Sequence, residues 1–551
     1  MKTILFALIL GLPATAAIVA DDAPLRLEAT VCASLQGLTI PASAIGLPTS
    51  GAVVQTAVSV GATDAGPALE LPAPFRAGLL YANGAFCKVI GLVRPVHAGS
   101  PDLEFEVNLP LAWNRQALQM GGGGYDGALV TGLGPFRDAP ATLDTPLKQG
   151  YVTLGNDGGH KGKAEYDASF GLDDEALLNF GQQSIKKTHD AAMAVIKKAY
   201  GNAPAHFYFI GGSQGGHEAL DAAARYPADY DGVVAHYPAY NLTMLHLGSL
   251  NVGRALYAEG GAAWMNPVKV RLIVDAVYAA CDGLDGAKDG IIGNVAGCQA
   301  AFDVKTLRCA NGADTGGTCL SDAQLRAVAR ITSDYKPGFV VAGMDTFPKW
   351  AFLDGAPFTG PSNFGLAPEP ADPLPLLYHV GNETVKFIIT RDPTFDTMVF
   401  DPQKYRARVE KVGTIMDVTD ISLEQFRAKG GRIIITHGTA DDLITPYNSI
   451  EYYKRQRAQF GQARLDSFMR FYVIPGFGHG FGRFNAKFDS LGVLRDWVEN
   501  GKAPTGLTAA DGNPGPTAGR TRPLCEWPAW PKFTGAPGTE NSASSFTCVA
   551  R

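Results

Sequence analysis

From about Phe105 onward, short apolar runs alternate with longer stretches of helical character. Residues 151–154, 207–210, 432–436 and 471–474 read as strands, and residues 182–200, 448–460 and 488–500 as helices. Residues 207–210 lead through a glycine-rich turn into a further helix that ends at Tyr226. Strands separated by helices cannot pair as tight hairpins. Each helix crosses over and brings the chain back in the same direction, which makes the sheet parallel. The expected fold class is therefore α/β. Between about Asn241 and Asp417 the alternation fails, and four cysteines, Gly/Asp turns and the proline-rich residues 367–375 replace it. This segment reads as an inserted lid. The expected organisation is a leader over residues 1–20, a first part of the core over 21–240, the lid over 241–417 and a second part of the core over 418–551. The tail after Gly501 is rich in Pro, Gly and Ser, but Cys525, Trp527, Trp530 and Cys548 predict that it is pinned to the surface.

The leader is Met1-Lys2, an apolar run over residues 4–12, Pro13 and a small-residue stretch up to Ala20, the pattern of a secretory signal peptide. Its apolar core is about half the length a membrane span needs. Cleavage after Ala20 or near Ala16 fits equally. The expected destination is the periplasm or the medium. The eight cysteines then follow the chain into an oxidising compartment, and an even count predicts four disulfides. Their grouping suggests Cys32 with Cys87, Cys281 with Cys298, Cys309 with Cys319, and Cys525 with Cys548. A zinc site is the rival reading, but no C-x-x-C pair is present. With 47 basic against 53 acidic residues and no long basic run, the chain lacks the electrostatic footprint of a nucleic-acid binder.

Gly211-Gly212-Ser213-Gln214-Gly215 fits G-x-S-x-G, a weak signal by itself in a chain with 65 glycines. Its place between a strand and a helix strengthens it, because that sharp turn lifts a serine hydroxyl above a sheet. A serine hydroxyl needs a base within hydrogen-bond reach and an acid that orients the base. In α/β-hydrolases the order along the chain is Ser, acid, His. Asp441 and His479 follow in that order, each in a loop leaving a strand, with Asp442 as the alternative acid. His437 could line the pocket or cap its strand. The glycine run 121–124 matches the loop that supplies oxyanion donors, with Gly123 and Gly124 joined by the N–H of Gln214. No Gly-Lys-Ser/Thr follows to complete a phosphate loop. Residues 281–291 pack Asp282, Asp285 and Asp289 among glycines, a pattern that suits Ca2+ or an ordinary solvated turn.

Taken together, the chain resembles the tannase/feruloyl esterase family. The likeness rests on residues 121–124, Asn156-Asp157-Gly158-Gly159-His160, Ser213, residues 225–232, residues 281–292, residues 437–441, residues 475–479 and Arg522-Pro523-Leu524-Cys525. It implies an α/β-hydrolase core with a lid, a triad of Ser213, Asp441 and His479, and hydrolysis of small aromatic esters. It also implies structural calcium held by Asp282, Asp285 and Asp289 with the carbonyls of Ala287 and Ile291. Family members act on gallate, hydroxycinnamate or terephthalate monoesters. One departure is plain, for the family commonly has a disulfide-bonded cysteine pair where this chain has Gly212 and Gly480. Those two glycines are expected side by side, at a spacing that a disulfide would accept. Arg391, with Phe395 nearby, is a candidate clamp for a substrate carboxylate, or else a surface Arg paired with Asp392 or Asp396. The rival classes are a secreted binding protein on an inactive hydrolase scaffold and a serine peptidase. The oligomeric state is not legible.

Overall fold

The computed structural model describes residues 25–62, 66–67, 79–163, 166–359, 361–371, 374–419 and 421–550. The expected signal peptide lies outside the described residues. A ten-stranded mixed sheet forms the centre. Six parallel strands run side by side in the order Met469–Ile474, Arg432–Gly438, Gly232–His236, His206–Gly212, Gln116–Met120 and Val152–Asn156. Their near-continuous burial reflects a sheet covered on both faces, where an apolar run is favoured over alternation. Antiparallel strands Leu103–Pro110, Phe86–Val93, Ala52–Val60 and Thr39–Ile40 extend the sheet from Val152–Asn156. The rhythm read from Phe105 onward omitted most of this half. These strands are joined without intervening long helices, so no 3.6-residue period announces them.

The helices fall close to the expected spans. The helix expected over residues 448–460 begins earlier, at Pro446–Phe460, because proline fits the first turn of a helix, where its missing N–H leaves no acceptor unpaired. The last core helix is Ser490–Asn500; Asp489 caps it by accepting from the Gly492 N–H at 2.8 Å. Gly501 ends it in the left-handed region.

Gly232–His236 and Arg432–Gly438 are neighbours in the sheet although about two hundred residues separate them in sequence. Among the described residues the intervening chain carries helices and no strand. Its apolar side chains form their own core with Tyr125, Phe170 and Phe180, apart from the two cores that sandwich the sheet. The four disulfides pair as the grouping suggested: Cys32–Cys87, Cys281–Cys298, Cys309–Cys319 and Cys525–Cys548, with Cα separations of 5.7, 4.9, 4.9 and 5.5 Å. The last bridge ties the C-terminal strand pair Trp530–Phe533 and Phe546–Val549 back to the body. Among the described residues no helix is long and apolar enough to cross a membrane.

Candidate active site

Ser213 occupies the turn between the strand His206–Gly212 and the helix Gln214–Arg225, with φ 62° and ψ −121°. A non-glycine residue at positive φ is strained, and the surrounding contacts must hold it there. The flanking glycines allow those contacts. A Cβ on Gly211 would collide with the backbone of Gly215, and one on Gly215 would lie 2.8 Å from Gly121 and Gly122. The motif glycines therefore let strand, helix and the 121–124 loop close to backbone contact beside Ser213.

Asp441 and His479 leave adjacent strands and meet: His479 Nδ1 lies 2.9 Å from Asp441 Oδ2. The other carboxylate oxygen accepts the N–H groups of Leu443 and Ile444, both at 2.9 Å. Burial acts to raise the Asp441 carboxyl, but the charge of His479 and hydrogen bonds from His437 and His479 outweigh it and hold it well below the usual carboxylate range. Asp442 points elsewhere; burial, reinforced by the Asp441 charge, pushes it up to about 6. Ser213 and His479 line one cavity without a direct hydrogen bond between them, a separation common in enzymes free of substrate.

Among the described residues, the N–H groups of Gly124 and Gln214 bond to no other protein group and lie in the cavity wall with Ser213, whereas the Gly123 N–H is turned toward the Asp126 carboxylate. Gly122 is held differently. Its N–H donates to Glu218 at 3.0 Å, and Glu218 faces Asp126 in a fully enclosed acid pair. Burial pushes Glu218 up to about 7, and burial together with Glu218 raises Asp126 well above its ordinary range.

The cavity wall is largely apolar, with Leu242, Leu245, Leu376, Leu377, Val380 and Ile444 joined by Tyr125, Tyr166 and His246. Among the described residues no Lys or Arg lines it. Three residues expected at the substrate lie elsewhere. His437 is fully buried behind the acid, with Nε2 2.8 Å from the Ile444 carbonyl and 3.4 Å from Asp441, and Nδ1 2.7 Å from the Ser449 hydroxyl. Arg391 pairs with Asp174 at 2.5 Å and donates to the Leu172 carbonyl, so neither of the aspartates expected beside it is its partner. Phe395 packs on Phe400 and Tyr405.

In the 281–291 loop, Asp282 and Asp289 accept from the N–H groups of Gly290 and Ile291, while Asp285 accepts from Ala287 and Gly293. Burial, with Asp289 and Asp282 adding to it, raises Asp285 to about 6. Among the described residues, the acidic and imidazole ligand atoms that converge within 4.8 Å are those of His189, Asp190 and Asp229 instead. The Lys186 ammonium already fills that cluster, at 2.8 Å from Asp190 and 3.0 Å from Asp229.

Sequence reasoning missed two residues, Tyr237 and His246. Tyr237 is buried at positive φ, and a Cβ on Gly212 or on Gly480 would lie 2.9 or 3.0 Å from its phenol. Gly480 is itself at φ 81°. The two glycines flank a common space, as expected of neighbours, and the phenol of Tyr237 occupies it. Neither residue belongs to a motif, and only the fold brings them to the site.

A sequence profile described as "Tannase and feruloyl esterase" matches residues 87–549. An uncharacterized esterase of Agrobacterium fabrum is 36% identical over 536 residues, covering 95% of this chain and 93% of that protein. A mono(2-hydroxyethyl) terephthalate hydrolase of Piscinibacter sakaiensis is 29% identical over 528 residues, covering 85% and 84%. The crystal structure of feruloyl esterase B from Aspergillus oryzae superimposes with a TM-score of 0.76 at 23% identity, covering 95% of this chain and 100% of that one. The chain therefore belongs to the tannase and feruloyl esterase family and is a carboxylic ester hydrolase with an α/β-hydrolase fold.

Proposed function

We propose that this protein is an exported serine esterase for esters of aromatic, phenolic acids. The observation that carries the reading is the apolar cavity shared by Ser213 and His479, with Asp441 buried 2.9 Å behind the imidazole. His479 takes the Ser213 hydroxyl proton as the oxygen attacks the ester carbonyl, and Asp441 stabilises the imidazolium. The tetrahedral oxyanion accepts from the N–H groups of Gln214 and Gly124, the elbow and glycine-loop donors that face the cavity; the expected third donor, Gly123, faces Asp126 instead. Its collapse breaks the ester C–O bond, and His479 returns the proton to the departing alcohol. Water, deprotonated by His479, then attacks the acyl-enzyme, releasing the acid and restoring Ser213.

A terephthalate-monoester activity is the second reading, favoured by the Piscinibacter relative. It requires a partner for a free carboxylate, and the cavity wall offers apolar side chains and hydroxyls instead. The helical chain between Gly232–His236 and Arg432–Gly438 acts as the lid in this account, and Asp282, Asp285 and Asp289 with the carbonyls of Ala287 and Ile291 hold a structural Ca2+. The raised Asp285 supports that, since a cation would relieve three carboxylates crowded into one loop. Four disulfides support export to an oxidising compartment. Initial rates on methyl ferulate, methyl gallate, chlorogenate and mono(2-hydroxyethyl) terephthalate test the reading. Turnover of the phenolic esters above the terephthalate is expected; the reverse order transfers the assignment to the second reading.

A further inference from the structure

His246 stands in the cavity wall on the helix Leu242–Leu256, 6% exposed, and a chain of hydrogen bonds fixes its protonation. The Tyr125 hydroxyl donates to the Val380 carbonyl at 2.7 Å, which uses its only proton. The Thr384 hydroxyl, 2.5 Å from Tyr125 Oη, must therefore be the donor in that contact. Its proton is then used as well. Two contacts remain, both to His246 Nδ1, from Thr384 Oγ1 at 2.7 Å and from Tyr125 Oη at 3.3 Å, and with both hydroxyl protons used they form only if Nδ1 carries a proton and donates it. Burial lowers the imidazole to about 3, so the ring is neutral and Nε2 holds a bare lone pair. Among the described residues Nε2 has no partner, yet it is not among the sealed, unpaired polar atoms, which leaves it open to the cavity.

We propose that His246 Nε2 is the acceptor for a phenolic hydroxyl on the acyl ring of the substrate. The inference rests on the ester-hydrolase reading and deepens it. Leu245, Leu377, Val380 and Ile444 supply the apolar slot for the ring, and the imidazole supplies the one directional contact at its rim. Tyr125, which follows the glycine loop, packs edge-on against His246 with centroids 5.2 Å apart, so the acceptor is tied to the oxyanion donors through the core. A buried lone pair rejects groups that cannot donate. A methoxy oxygen or a carboxylate would face it acceptor to acceptor, and an unsubstituted ring would leave it unpaired.

The test compares kcat/KM for methyl 4-hydroxycinnamate and methyl 3-hydroxycinnamate with methyl cinnamate and the matching methoxycinnamates. Wild-type enzyme is expected to favour the better hydroxylated ester by about 10-fold or more over its methoxy analogue. His246→Leu is expected to collapse that ratio toward one. Robust turnover of all these esters at equal efficiency by the wild type overturns the assignment of His246 while leaving the esterase reading intact. A ratio that persists in His246→Leu overturns it equally, because another group then reads the hydroxyl. Failure of the wild type to hydrolyse any of the esters, p-nitrophenyl acetate included, removes the esterase reading and this inference with it.

Discussion

The ring of Tyr237 packs against the ring of His479, centroids 4.5 Å apart and planes inclined by 50°, and the same phenol closes on Gly212 and Gly480. A side chain thus fills the place beside Ser213 and His479 where the family resemblance implies a cysteine bridge. Its buried hydroxyl faces the Arg137 guanidinium rather than His479, so the ring, rather than the oxygen, supports His479. Tyr237→Phe should retain activity within about threefold. Tyr237→Ala leaves a large void and frees the imidazole, and a loss of about tenfold or more in kcat with little change in KM is expected. Equal loss in both variants would assign the role to the hydroxyl.

Gly212→Cys with Gly480→Cys should leave two free thiols in otherwise wild-type protein. Either Cβ would press on Tyr237, and Gly480 holds a φ of 81° that cysteine rarely adopts. Thiol counting by mass spectrometry under non-reducing conditions decides this. A bridge formed without loss of Tyr237 packing would contradict the account.

Asp441→Asn should cost at least about 10³-fold in kcat, whereas Asp442→Asn should cost less than tenfold. The asymmetry follows from the two histidines and two backbone N–H groups that converge on Asp441 alone. His437→Ala should lower kcat with little effect on KM, since the residue touches the acid and not the cavity. The reverse order for the two aspartates would shift the acid by one residue.

Four of the six parallel strands were legible because burial on both faces leaves unbroken apolar runs, and the elbow because glycines are required where backbones touch; Gly232–His236 was not read as a strand. The near-neighbour disulfides were legible from cysteine grouping. The antiparallel half was not: Ala52–Val60 mixes buried and exposed residues without a helix to punctuate it. Arg391 shows the limit for single side chains. An arginine near aromatics reads as a ligand clamp, but Asp174, more than two hundred residues earlier, claims it. Tyr237 and His246 escaped notice because their importance lies in contacts made across the fold, to Gly480 and to Thr384.

Stability should fall as pH rises from about 4.5 through 7, in part through Glu218. Its ordinary value of 4.5 is raised to about 7 in the folded protein, chiefly by burial. The folded state therefore binds this proton more tightly than the unfolded chain, so the contribution is complete below 4.5 and lost on passing 7. Glu218→Gln keeps an acceptor for the Gly122 N–H but cannot titrate. The drop in thermal midpoint between pH 5 and pH 8 should shrink in this variant without vanishing, because Asp126 beside it is raised as well and Glu106 and Asp417 are raised to about 7. An unchanged drop would show that Glu218 does not carry the proton.

Chelation should lower the thermal midpoint more than the initial rate, because a cation bound only by the folded state stabilises it by mass action and the 281–291 loop does not line the cavity at Ser213. Metal analysis should find about one calcium per chain. Its absence would reduce the loop to a turn anchored by Arg522, which pairs with Asp289.

The central claim is that Ser213 forms an acyl-enzyme. Rapid mixing with a p-nitrophenyl ester, followed by acid quench and peptide mass analysis, reads it directly. The account predicts an acyl mass increment on the peptide containing Ser213, absent in Ser213→Ala, whose kcat falls at least about 10³-fold while its thermal midpoint is retained. An increment on another residue, or a Ser213→Ala variant keeping more than about a tenth of wild-type activity, would contradict it.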